Sequence, residues 1–312
     1  MTIPQVFLGS DGKLRSGWRF ACFMAAFIFV AAFLSAVAIV LLPSLREVAV
    51  ELGPATLVVN ALVMLVPALF VGWVCGKYLE RLPFRALGAS LHGPWFRHVI
   101  LGLAIGAITL LLAIGLAMVF TETTFELSPS PTEDILRSLA ISAGVFALAA
   151  TAEEVLFRGY ILQTFARSGL AWFAIALTAV FFGVVHLGNP EAGPLSSLNT
   201  ALAGIWFGVA YLKTRDLWFV TGVHFIWNWL QGAVFGIEVS GLTAIAPHAV
   251  MREIETGPAW ISGGPYGLEG GVVTTIAIVI STIAIYFLPI LKPDPELLAL
   301  TTPPASTTPS VS

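Results

Sequence analysis

Charge is scarce in this chain. Of its 312 residues 11% are charged and 57% hydrophobic, and the mean hydropathy is +0.91. A soluble domain carries charge at about a quarter of its positions, so this composition excludes a water-soluble globular protein and a disordered chain alike. There is no basic excess, since 15 Lys and Arg stand against 18 Asp and Glu. Nothing is left over to meet nucleic-acid phosphates, and acidic partners gain no attraction. Cysteine is nearly absent as well. Cys22 and Cys75 lie inside apolar runs and form no CxxC, zinc knuckle or disulfide framework.

What the chain does have is long hydrophobic sequence. A helix crosses a bilayer in about 20 mostly apolar residues. Charge-free stretches of that order occupy residues 20–45, 52–76, 98–121, 168–190, 192–212, 217–237 and 270–291. A shorter one, 138–152, runs into Glu153, Glu154 and Arg158. The expectation is an all-α polytopic membrane protein with about eight transmembrane helices and no β-sheet domain. Ala36-Val37-Ala38 has the form of a cleavage site, but the run continues to Leu42, so a retained span is expected.

Basic residues give the orientation, because Lys and Arg stay on the cytoplasmic side. With the N-terminus inside, Lys13, Arg15, Arg19, Lys77, Arg81, Arg85, Arg97, Arg158, Arg167, Lys213, Arg215 and Lys292 are cytoplasmic, and Arg46, Arg137 and Arg252 fall outside. Both termini are then cytoplasmic. The chain divides into an N-terminal part with three helices (1–133), a motif-bearing helical core (134–236), an extracytoplasmic loop and last helix (237–292), and a Pro/Thr/Ser-rich tail (293–312) expected to be disordered. No internal repeat suggests the inverted halves of a transporter, although a proton relay through Glu153, Arg158 and the histidines is the rival reading from that class.

Ionisable groups in hydrocarbon are costly, and each is a functional candidate by default. Here they are Glu153, Glu154 and Arg158, then His186, then His224 with the polar Asn228. His92, His98 and His248 lie in loops or at span edges and read as surface residues. Glu154 and Arg158 are four apart and share a helix face, the spacing of a buried ion pair. Glu153 is turned by about 100° and left to face something else. His224 and Asn228 share a face of their own helix. A short connection around 167–170 lies at the midpoint of 153 and 186, so an antiparallel hairpin puts Glu153 and His186 at one depth, each roughly 25 Å from the turn. His224 lies about 10 Å into its helix, so convergence requires the hairpin tip to protrude from the membrane. Phe182 reads as packing beside His186, and Trp227 and Trp229 as packing or interfacial anchors.

This set can activate water. Glu153 would take the proton as water attacks a carbonyl, a histidine would orient or share it, and His224 with Asn228 could donate to the oxyanion. Glu153, His186 and His224 also have the chemistry of a catalytic zinc site with an open position. Zinc is thus the one cofactor the sequence admits, and the residues do not choose between the two mechanisms. HExxH and Gly-x-Ser-x-Gly are absent, and the four aspartates, Asp11, Asp134, Asp216 and Asp294, lie outside the expected spans, which removes an aspartyl dyad.

Glu153-Glu154-Val155-Leu156-Phe157-Arg158 has the form EExxxR, Phe182 to His186 reads FxxxH, and His224 to Asn228 reads HxxxN. This ordered triplet resembles the CPBP family (CAAX proteases and bacteriocin-processing enzymes, or Abi), which includes the type II CAAX prenyl endopeptidases. The resemblance covers about residues 134–235. It implies an eight-span intramembrane endopeptidase with a cavity open to the cytoplasm. Glu153 is then the catalytic glutamate, His186 its water-activating partner, His224 and Asn228 the oxyanion side, and Glu154, Arg158 and Phe182 supporting residues. The implied partners are the bilayer and a peptide or protein substrate, lipidated in the CAAX case and bacteriocin-like in bacterial relatives. A non-catalytic immunity or scaffold protein of the same fold keeps every motif and is the second rival.

Overall fold

Backbone groups in hydrocarbon have no water to bond, so each long apolar run closes its hydrogen bonds within a helix. The computed structural model describes residues 6–9, 12–41 and 53–302. Its main elements are α1 (Ser16–Leu41), α2 (Pro54–Leu79), α3 (Trp95–Phe120), α4 (Thr132–Ala166), α5 (Ala171–Val185), α6 (Pro194–Thr214), α7 (Leu217–Trp229), α8 (Val272–Phe287) and α9 (Pro295–Thr301). A two-stranded antiparallel ribbon, β1 (Thr124–Leu127) with β2 (Met251–Ile254), ties the loop after α3 to the loop after α7, with Thr124 opposite Ile254. The protein is an all-α polytopic membrane protein. Its outer surface agrees with that: Phe29 is 74% exposed and Val119 75%, side chains that water would not tolerate in such number.

Six helices among the described residues are long and apolar enough to cross a membrane: α1 to α4, α5 with its terminal turn, and α6. The other two of the roughly eight expected spans are shorter α-helices, α7 with 13 residues before a π stretch and α8. Helix α7 carries His224 and Asn228, and α8 has 16 residues, because Gly264–Gly270 folds as 3-10 turns and Leu288 is already extended. The short apolar stretch at 138–152 belongs to a 35-residue helix, α4, that continues through the charges to Ala166. At about 1.5 Å per residue α4 is some 50 Å long, longer than the ~30 Å hydrocarbon core. The described start of the tail is a short helix. Asp294 caps α9 by accepting from the amides of Glu296 and Leu297, and Leu297 and Thr301 are buried. Residues 303–312, and Arg46 and Asp11 among the charges discussed above, lie outside the described residues.

Helix α7 is gripped by α3, α4 and α6. Lipid tails give apolar helices little reason to associate, so close backbone approach and polar contacts must hold them together. Gly102 and Gly106 of α3 form a GxxxG pair whose absent side chains leave room for the α7 carbonyls of Phe219 and Val223. Gly204 of α6 likewise meets the backbone of Ala179 on α5. One end of the bundle is bolted by charge: Arg19 and Arg167 both bond Glu80 Oε2, at 2.6 and 2.8 Å, linking α1, the end of α2 and the end of α4. Burial favours the neutral form of Glu80, yet the Arg167 and Arg19 guanidiniums outweigh it and hold the carboxyl below its ordinary value.

Candidate active site

Helix α4 supplies two adjacent carboxylates that face different ways. Just beyond them its backbone widens into a π stretch, Val155–Ile161, a distortion frequent at functional sites. Glu154 is wholly buried. Its Oε1 accepts from Arg158 Nη1 at 3.3 Å and from His224 Nδ1 at 2.9 Å. The sequence reading paired Glu154 with Arg158; the structure adds His224 as a second partner. Arg158, also fully buried, donates its other Nη to the Gly204 carbonyl at 3.0 Å. Its guanidinium carbon lies 5.1–5.6 Å from the ring centres of Phe157, Phe182 and Phe207, within cation–π range.

Glu153 points the other way, onto a cavity of about 200 Å³. Its Oε2 lies 3.8 Å from His224 Nε2 and has no hydrogen-bond partner in the protein. His224 therefore stands between the two glutamates: Nδ1 is committed to Glu154, and Nε2 is turned to Glu153. Phe207 stacks on its ring with centres 4.6 Å apart. His186 follows α5, where its Nδ1 bonds the Phe182 carbonyl at 2.7 Å, which leaves Nε2 free for other use. Phe182 packs 4.7 Å from the His186 ring and 6.1 Å edge-on to His224. Asn228 lines the same cavity. All four candidate catalytic residues thus meet at one cavity, and the imidazole beside Glu153 is that of His224.

The motifs did not disclose the rest of the wall. Val239, Ser240, Leu242, Ile245 and Glu269 come from the segment between α7 and α8. They enter from the bundle end opposite the Arg19–Glu80–Arg167 bolt. Glu269 Oε2 accepts from the Ser240 amide at 2.6 Å and hydroxyl at 2.7 Å, and Oε1 accepts from Trp227 Nε1 at 3.1 Å. Trp227 is therefore a fastening as well as packing. Burial pushes the Glu269 carboxyl above its ordinary value, against the pull of the Ser240 and Trp227 hydrogen bonds. Asn199 of α6 holds the Glu269 and Gly271 carbonyls at 2.8 Å each. A polar Asn inside the apolar run 192–212 was the available signal for this part; Glu269, in a Gly/Pro-rich loop, offered none.

The edge histidines also need correction. His98 is 1% exposed, and His92 is packed with it against Asp216. His248 is partly buried and bonds Ser130 Oγ at 3.1 Å. Among the described residues the group whose metal-ligating atoms all lie within 4.8 Å of one another is His92, His98 and Asp216. Glu153, His186 and His224 share a cavity without gathering that closely, so their present geometry does not fit a zinc ion.

Residues 135–230, which hold all three motifs, match the family model described as type II CAAX prenyl endopeptidase Rce1-like. The match agrees with the resemblance drawn from the motifs. A second similarity is to the uncharacterized protein YyaK of Bacillus subtilis (strain 168), 25% identical over 148 residues, or 47% of this chain and 46% of that protein. The chain therefore matches about half the length of that curated relative. Glu269, Ser240 and the bolt residues Arg19 and Glu80 lie outside the Rce1-like segment.

Proposed function

We propose that this integral membrane protein is an endopeptidase that hydrolyses a peptide bond in a membrane-associated substrate, a CAAX-like or bacteriocin-type peptide, with water activated by Glu153. The observation that carries this reading is the unpartnered Glu153 Oε2 facing His224 Nε2 at 3.8 Å on a cavity wall. Two acceptors so spaced can each take a hydrogen bond of about 2.8 Å from one water. With Nδ1–H donated to Glu154, His224 offers its Nε2 lone pair to that water, and Glu154 fixes this tautomer as an outer partner does in other sites.

The water oxygen attacks the peptide carbonyl carbon as one of its protons passes to Glu153. The carbonyl oxygen becomes an oxyanion, to which Asn228 Nδ2 donates, with His186 lining the same cavity. When the tetrahedral species collapses, the C–N bond breaks and the Glu153 proton goes to the departing amine. The acid–base chemistry is assigned to the segment 134–236, and no step needs a metal. Chelator treatment and metal counting of the purified protein test the zinc alternative, which is supported if activity is lost and then restored by zinc and Glu153→Gln protein holds less zinc than wild-type. The basic residues support cytoplasmic termini.

The test is a proteomic comparison of membranes from cells expressing wild-type or Glu153→Gln protein. A precursor that accumulates with Glu153→Gln and is shortened by the wild-type protein supports the proposal and names the substrate. Equal processing by the two overturns Glu153 as the base. If neither protein processes any membrane peptide, a non-catalytic immunity or scaffold role gains.

A further inference from the structure

We propose that His92, His98 and Asp216 form a binding site for a divalent ion of the zinc class, which fastens the start of α7. The three residues come from separate places: His92 from the loop before α3, His98 from the first turn of α3, and Asp216 from the cap of α7. His92 Nε2 and His98 Nδ1 lie 2.7 and 2.6 Å from the same carboxylate oxygen, Asp216 Oδ2. Their side chains are 8%, 1% and 0% exposed.

Two imidazoles with one carboxylate suit zinc and its first-row neighbours, whereas calcium and magnesium take mostly oxygen. The carboxylate is already divided between two tasks. Oδ1 accepts from the Trp218 amide at 2.8 Å, which orients the ligand as an outer partner does in built metal sites. Oδ2 is the oxygen that both imidazoles contact, contacts that a bound ion would replace. His92 Nδ1 is buried without a partner in the protein, an unsatisfied ring nitrogen at the edge of the cluster. Neighbouring contacts brace the cluster: Leu217 donates to the Gly88 carbonyl at 2.9 Å and Trp218 Nε1 to the Ser90 carbonyl at 3.0 Å. An ion here joins the loop, α3 and α7 about two turns before His224. The site is separate from the cleavage chemistry and does not depend on it.

The test uses full-length protein in detergent, purified on a tag without histidines, loaded with zinc and desalted. Bound metal is counted by mass spectrometry, and melting is followed with zinc and with chelator. About one zinc per chain is expected for wild-type and for Glu153→Gln protein, with a higher Tm than in chelator. His98→Ala and His92→Gln should bind zinc at least about tenfold more weakly, no less than the cost of losing an outer partner. Gln at 92 keeps an N–H for Asp216, so a cluster held only by hydrogen bonds would show the same melting behaviour as wild-type with and without zinc. Wild-type protein that takes up no stoichiometric zinc overturns the proposal, as does equal uptake by both variants. Loss of zinc in Glu153→Gln alone would place the ion in the cavity instead and overturn it as well.

Discussion

Two clusters in this molecule use the same chemical parts in opposite proportions. On α4 and α7, two carboxylates share one imidazole, His224, at 2.9 and 3.8 Å. At the capped start of α7, two imidazoles share one carboxylate, Asp216, at 2.6 and 2.7 Å. In the second cluster both imidazole contacts are of hydrogen-bond length. In the first, one edge stays open: Glu153 keeps an oxygen without a protein partner, and its side chain is 23% exposed, facing a cavity. Burying titratable groups is common to both. What separates a reactive arrangement from a structural one is a carboxylate held in place yet left unsatisfied.

Substitutions can break that comparison, and the largest effect is expected at its open edge. Glu153→Gln removes the base while keeping size and shape, so kcat for a reporter peptide should fall by about 10²–10⁴ with Tm unchanged; a fall in Tm of equal standing would make Glu153 structural. Glu154→Ala tests the closed side of the same pair. It leaves the Arg158 charge buried without its carboxylate, a loss of about 3–5 kcal/mol for a broken buried pair, read as a lower melting temperature before any kinetic assay. Asp216→Ala removes a helix cap and the acceptor of two imidazoles, for roughly 2–3 kcal/mol from a lost cap and unpaired donors; a stability within 0.5 kcal/mol of wild-type, on the order of an ordinary surface change, would show that the second cluster holds nothing.

The smallest effect concerns pH. Glu80 is held below its ordinary value in the folded protein, so its contribution is fully present above the unfolded value of 4.5 and fades as pH falls through the depressed folded one. Between pH 4.5 and the onset of acid unfolding, wild-type protein should therefore lose Tm more steeply than Glu80→Gln. Parallel slopes would remove Glu80 from the account.

The motif residues were legible because each is an ionisable or polar group inside an apolar run, where hydrocarbon leaves it no neutral explanation. That argument fails at the edge of a span, where water is available on paper. His92 and His98 looked like surface residues for that reason, and their partner Asp216 is more than a hundred positions away in sequence. The reach of α4 past its charges was legible from the short connection around 167–170, and Glu154 and Arg158 pair within the helix as it continues. In the tail, Asp294-Pro295-Glu296 was a readable helix start, outweighed by the Pro, Thr and Ser around it. Glu269 could not be found at all, since a carboxylate in a loop is expected to meet water, and here it meets Trp227 and Ser240.

The wide turns of α4 and α7 have a consequence for how such a protein can vary. One begins just after Glu154 and the other, Leu230–Val234, two residues past Asn228. In α4 the widening absorbs a residue that an ordinary helix would express as rotation, so the part bearing Glu153 and the five residues Leu162–Ala166 beyond it are indexed separately, while in α7 it ends the helix. A lineage could therefore re-aim the end of α4, and the charge bolt attached to it, while Glu153 and Glu154 stay where they are.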